Sequence, residues 1–167
     1  MVRVADANPV HLGHHARADG RWRIYAFADA PVPAEATELS AWAAWMIDDA
    51  ASPVHRFGPE EGPIDRLFDV KVVFRGPYED VDLPSVPPLF CPRTGPFQLV
   101  DHEKIYAVDP SHDVFAERGI GGSGALVVVR PDQYVAHVLP LTARDELTGF
   151  FERTMLPRAA AEPLAQT

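Results

Sequence analysis

The residues with chemical reach in this 167-residue chain are a single cysteine, seven histidines and one glycine-rich hexad. Cys91, in Leu89-Phe90-Cys91-Pro92, could act as a thiolate nucleophile. That role needs a neighbouring cation or helix start to lower its pKa, and Arg93 is the only close cation along the chain. A half-buried small hydrophobe is the favoured reading. Standing alone, Cys91 excludes an intrachain disulfide, a Cys-rich zinc site and a CxxC redox pair. His11 and His15 are spaced i, i+4 and would share a helix face, with His14 beside them. Pro9, Gly13 and Gly20 oppose a helix there and no carboxylate sits at a matching offset, so solvated or capping histidines are expected rather than a metal site. Ser111 or Ser123 can be combined with His102, His112 or His137 and an aspartate, but no nucleophile-elbow pattern frames either serine.

Gly119-Ile120-Gly121-Gly122-Ser123-Gly124 satisfies G-x-G-x-x-G letter for letter. Dinucleotide binding requires a strand before the glycines and a helix N-terminus after them, so that free N–H groups meet the pyrophosphate. Here a short helix is expected before the glycines and a strand after them. A turn is therefore the reading. No residue is assigned a catalytic, cofactor-binding or metal-binding role.

These groups hang on a regular alternation of elements. Trp22 to Phe27 alternates aromatic and aliphatic residues and reads as the first core strand, after the Asp19-Gly20 turn. Glu35 to Ala51 reads as a helix, with Leu39, Trp42, Ala43 and Met46 at helical spacing, Trp45 beside them, and Glu35 and Glu38 in its first turn. Ser52 to Pro63 is a loop, and Phe68 to Phe74 is a Val/Phe-rich strand. Gly76 to Pro96 carries six prolines and reads as an ordered, extended excursion that packs through Tyr78, Val81, Leu83, Leu89 and Phe90. Lys104 to Val108 is a strand, and Asp109-Pro110-Ser111 starts a short helix through Ala116. Ala125 to Val129 is a continuous apolar run, as in a strand covered on both faces. It turns through Arg130-Pro131-Asp132-Gln133 into a partner strand over Tyr134 to Leu139. Thr142, with Asp145 three residues on, caps a last helix that Pro157 closes. Parallel strands from the early β-α-β unit joined to the late antiparallel hairpin predict a mixed sheet flanked by helices, the thioredoxin-like α/β arrangement without a CxxC motif. A single domain over 1–157 and a disordered tail over 158–167 are expected.

Composition narrows the partners. Twenty-four acidic against fifteen basic residues give a net charge of −9, and the basic residues are dispersed. Nucleic-acid and membrane-surface roles lose weight accordingly. No run approaches the length of a bilayer span and Met1 to Arg23 holds no signal-peptide core, so the cytoplasm is the expected compartment.

The run Val128-Val129-Arg130-Pro131-Asp132-Gln133-Tyr134-Val135, with Gly119-Ile120 and Gly124 ahead of it, resembles the C-terminal domain of the FAD-dependent aromatic hydroxylases typified by phenol 2-monooxygenase and 3-hydroxybenzoate 4-monooxygenase. Ala18 to Tyr25, Asp69 to Phe74, the Leu83-Pro84 to Pro92 stretch and Phe150-Phe151 support the likeness, which covers roughly residues 1 to 156. The resemblance implies a thioredoxin-like fold and a part in subunit contacts. In that family NADPH reduces FAD, and a flavin hydroperoxide hydroxylates a phenolic ring, in a separate flavin domain. Neither FAD nor NADPH is expected on this chain, because none of the flavin domain's motifs is present. Ser123-Gly124 also stand where redox-active thioredoxins carry a proline.

The leading expectation is a non-catalytic assembly domain, stand-alone or excised from a larger oxidoreductase, forming a homodimer or docking on a flavin-domain hydroxylase subunit. One alternative is a thioredoxin-like enzyme using Cys91 as a reactive thiol. Another is a binding module that stacks small aromatic compounds on Trp22, Trp42 or Trp45.

Overall fold

A computed structural model describes residues 1–156; Pro157, expected to close the last helix, and the 158–167 tail lie outside the described residues. The chain opens with two short strands, β1 (Val2–Arg3) and β2 (Asn8–Pro9), in a segment with no strand pattern of its own. Pairing of β1 with a later core strand holds them in place, an outcome that local sequence does not encode. The first core strand, β3 (Trp22–Phe27), falls where its alternation predicts.

Helix α1 (Glu38–Asp48) starts three residues later than its apolar spacing suggests. Thr37 takes the N-cap and accepts the Ser40 amide, while the Asp29 carboxylate accepts the amides of Glu38 and Leu39 at 2.8 and 3.3 Å. Those acceptors satisfy first-turn donors that would otherwise be orphaned, so Glu35 stays outside the helix. Leu39, Trp42, Ala43 and Met46 form its buried face. The Ser52 to Pro63 loop contains one helix, α2 (Pro53–Phe57), with Pro53 in its first turn.

Strand β4 (Phe68–Phe74) is buried throughout. The proline-rich excursion then makes three single 3-10 turns and presses Val81, Val86, Leu89 and Phe90 into the core, with Phe90 stacked on Trp42. A small separate hairpin follows, β5 (Arg93–Thr94) and β6 (Leu99–Val100), which carries exposed Phe97 and Leu99. After β7 (Ile105–Ala107), helix α3 spans only Val114–Glu117. Asp109 instead turns back to accept the Ser111 amide and hydroxyl, and Asp113 caps the helix through the Phe115 and Ala116 amides. Strands β8 (Ala125–Val129) and β9 (Val135–Leu139) form the expected hairpin. In the last helix, α4 (Arg144–Thr154), Ala143 occupies the N-cap and makes no side-chain cap, so Thr142 does not play the capping role its type suggested.

The strands order as β2-β1-β7-β4-β3-β8-β9. The three central strands, β7, β4 and β3, are parallel, and β8 and β9 add antiparallel on one side. One sheet face packs against α1, α2, α4 and the proline excursion through Ile24, Val70, Val72, Phe74, Leu126 and Val128. The other is covered only in part, by Phe115 of α3 and by the N-terminal segment, over Tyr25, Phe27 and Val73. That is the mixed, helix-flanked α/β sheet expected. Its two faces are unequally clothed.

Candidate functional site

The thinly covered face has two unlike regions. Toward β8 and β9 it is apolar and open. In a regular strand, residues three apart point to opposite faces. The register irregularity between Val128 and Val129 adds a residue to β9, so Val135 lies opposite Val129 while Val138 lies opposite Val127. Both valines thereby join Leu12, Tyr25, Ile120 and Val127 around an apolar groove of about 470 Å³. Val135 and Val138 are 61 and 58% exposed on the terminal strand of the sheet, and Tyr134, 71% exposed, lies just before it. A contiguous apolar patch on an unpaired edge is a surface prepared for association.

Toward the N-terminal ends of β3 and β4 the same face is charged. Arg23 lies beside Asp69 across the parallel pair, Tyr25 beside Lys71, and Lys104 precedes β7 on the far side. Arg23, Asp69, Lys71 and Lys104 are at most 4% exposed. Lys104 Nζ donates to Asp65 and Asp69 at 2.7 Å each, and Lys71 donates to the other Asp69 oxygen. Arg21 bridges Asp19 and Asp65 at 2.9 Å. Arg23 donates to the Arg21 carbonyl, the Arg17 carbonyl and Asp19, while its Nε has no hydrogen-bond partner and lies 3.9 Å from Asp69. Burial by itself would raise the Asp69 carboxyl, but Lys71 and Lys104 overcome it and hold the group well below the usual carboxylate range. Burial lowers the Lys71 ammonium, and Asp69 only partly offsets that.

The sequence-flagged residues do not gather into a catalytic centre. Cys91 is half-buried against the core, and burial, with Asp101 adding, pushes its thiol up to about 11. That is the reverse of what a nucleophilic thiolate needs. Trp42 is fully enclosed and cannot stack on a ligand, and Trp22 packs edge-on against Phe150 and Phe151, which weakens the aromatic-stacking alternative. His11 and His14 meet edge to face, and His15 sits 3.5 Å from Arg3, without forming a helix. Among the described residues no group of three or more His, Cys, Asp and Glu side chains could hold a metal. Ser111 donates its hydroxyl to Asp109 at 2.6 Å, not to a histidine.

Gly119 to Gly124 links α3 to β8, in the helix-then-strand order expected. Arg75 donates to the Ile120 and Gly121 carbonyls at 3.1 and 2.7 Å, so the loop presents acceptors to a cation. This arrangement does not fit a dinucleotide phosphate. Gly124 has φ +69°, and a Cβ there would come within 2.4 Å of the Phe27 carbonyl oxygen. Its role is close packing.

The charged cluster leaves only a faint trace in the sequence. Its signal is Asp69 and Lys71 at i and i+2 in an otherwise apolar strand, matched by Arg23 at the same alternation in the neighbouring one.

The fold defines a thioredoxin-like domain that lacks a dithiol and keeps one sheet edge apolar and open. The chain belongs to the phenol hydroxylase, C-terminal dimerisation domain family, which matches residues 1–159. It is 45% identical over 160 residues to 3-hydroxybenzoate 4-monooxygenase of Comamonas testosteroni, a match covering 93% of this chain and 25% of that protein. It is 29% identical over 168 residues to FAD-dependent monooxygenase terD of Aspergillus terreus (strain NIH 2624 / FGSC A1156), covering 96% and 27%. The chain thus spans about a quarter of the length of the curated relatives it matches. The family resemblance read from the Val128 to Val135 hairpin is borne out. Among the described residues, no helix is long and apolar enough to cross a membrane.

Proposed function

We propose that this domain pairs two subunits of a flavin-dependent aromatic-ring monooxygenase, by self-association through the open β8–β9 face, and that the assembly works in the cytoplasm. The observation that carries the reading is the exposure of Val135 and Val138 on a terminal strand, in a family described by its dimerisation. An isologous pairing sets the same patch against itself across a two-fold axis. Two copies of the β9 edge then bury each other's valines. FAD and NADPH belong, on this reading, to a separate flavin region, since the glycine loop of this chain offers carbonyls to Arg75.

Light scattering after size exclusion, over a hundredfold concentration range, tests the reading. The wild-type chain is expected to be dimeric, and Val138→Asp monomeric with an unchanged circular dichroism spectrum, since Val138 is mostly solvent-facing in one copy. An unpaired carboxylate placed in an apolar contact weakens it by about 2 kcal/mol or more, roughly thirtyfold in Kd. A wild-type monomer at every concentration overturns self-association. A Val138→Asp dimer moves the interface elsewhere.

A further inference from the structure

The charged half of the thinly covered face is out of balance. Of its four deeply buried charged groups, Arg23, Lys71 and Lys104 are cations and only Asp69 is a carboxylate, in a chain whose net charge is −9. Partly exposed Arg21, Asp19 and Asp65 extend the network, and one positive charge remains in excess. Lys104 bridges two carboxylates and Arg21 bridges two, whereas Lys71 has a single oxygen of Asp69 for its three N–H donors. A buried cation this poorly matched is costly unless an anion completes it.

Lys71 lines a cleft of about 580 Å³ between the His14 to Arg17 segment and the β5–β6 hairpin. At the mouth Arg3 is paired with Asp6 and with Glu103, and Arg17 and Asp101 stand beside them, so the excess is confined to the buried groups around Lys71. Tyr106, Leu99 and Val100 supply non-charged walls, and Leu99 is largely exposed. A single excess charge matches a monoanion better than a phosphate dianion. The apolar hairpin wall matches an organic body better than a bare inorganic ion.

We propose that this cleft binds a small organic monocarboxylate, with its carboxylate on the Lys71 ammonium and its apolar body against Leu99, Val100 and Tyr106. The site is separate from the β8–β9 face and does not depend on self-association. A neutral Lys71 amine would also remove the charge excess, and it makes the opposite prediction for binding.

The test titrates the full chain with sodium benzoate at constant ionic strength, read by calorimetry and by amide correlation spectra. Saturable one-to-one binding is expected, with the largest shifts from Asp69 to Lys71 and from Leu99 to Lys104. Lys71→Met preserves the side chain's length without its charge and is expected to weaken benzoate at least about tenfold. Leu99→Ser, on the exposed hairpin, leaves the core intact and is expected to weaken benzoate but not acetate; it decides the matter if Lys71→Met does not fold. The proposal is overturned by an absence of saturable benzoate binding or by wild-type affinity in Lys71→Met. It is equally overturned if Leu99→Ser leaves benzoate affinity unchanged, or if inorganic phosphate binds these amides more tightly than benzoate does.

Discussion

Replacing Asp69 by asparagine removes the one carboxylate buried deeply among three cations while keeping the side chain's shape. At 2.7 Å from Lys104 and 3.9 Å from Arg23, the carboxylate's gross attractions are about 6 and 4 kcal/mol at an effective dielectric of roughly 20. Relief of the carboxylate's own desolvation offsets much of this. Removing one member of a buried ionic cluster therefore costs about 3–5 kcal/mol net, because the remaining charges stay buried without their partner. That is a large share of the roughly 5–15 kcal/mol that stabilises a domain. Urea unfolding followed by tryptophan fluorescence measures the loss, and Trp42, enclosed in the core, reports global unfolding. An unchanged slope with a lower midpoint is the expected signature. The effect has a definite pH dependence. Because Asp69 titrates below its ordinary value of 3.8, its contribution is full above that pH and is lost as pH falls through the depressed folded value. Wild-type stability should thus decline below about pH 4 more steeply than that of Asp69→Asn. At the alkaline end the variant's deficit should shrink, since Lys71, already lowered by burial, loses its unmatched charge as pH rises. A loss under about 1 kcal/mol at pH 7, or a deficit independent of pH, would refute the assignment of Asp69 as the keystone of the cluster.

Two further outcomes follow from the packing. Cys91, with its thiol pushed up to about 11, should react with a disulfide reagent at pH 7.5 roughly two orders of magnitude more slowly than a free thiol, and should speed up on unfolding in urea. Gly124→Ala places a Cβ against the Phe27 and Asp29 backbone at a positive φ, so a loss of at least about 2 kcal/mol in urea unfolding is expected, whereas Gly121→Ala, with open space around it, should be near neutral.

Much of the scaffold is legible because it is local. The alternation over Trp22 to Phe27, the unbroken apolar run Ala125 to Val129 and the helical spacing of Leu39, Trp42, Ala43 and Met46 each bury a face that the residues themselves specify. Boundaries are less legible, since they depend on who accepts the end-turn hydrogen bonds. Asp29, nine residues upstream of Glu38, sets the start of α1, and Asp113 rather than the Asp109 turn sets the start of α3. Strands β1 and β2 have no apolar pattern, and they exist because β7 offers an edge to pair with.

The candidate surfaces divide the same way. Residue types alone determine that there is no dithiol, and the helix–glycine–strand order sets the Gly119 to Gly124 loop against a phosphate. The Val128 to Val135 hairpin carries the family likeness within a single short run. Only the folded sheet decides that Val135 and Val138 share one face, because a one-residue irregularity resets the alternation of β9. Only strand order brings Arg23, Asp69, Lys71 and Lys104 together. Eighty-one residues separate the first from the last, and burial then turns four ordinary charges into one coupled cluster. Charge in a strand is visible in the sequence, but its partners and its dielectric are properties of the tertiary structure.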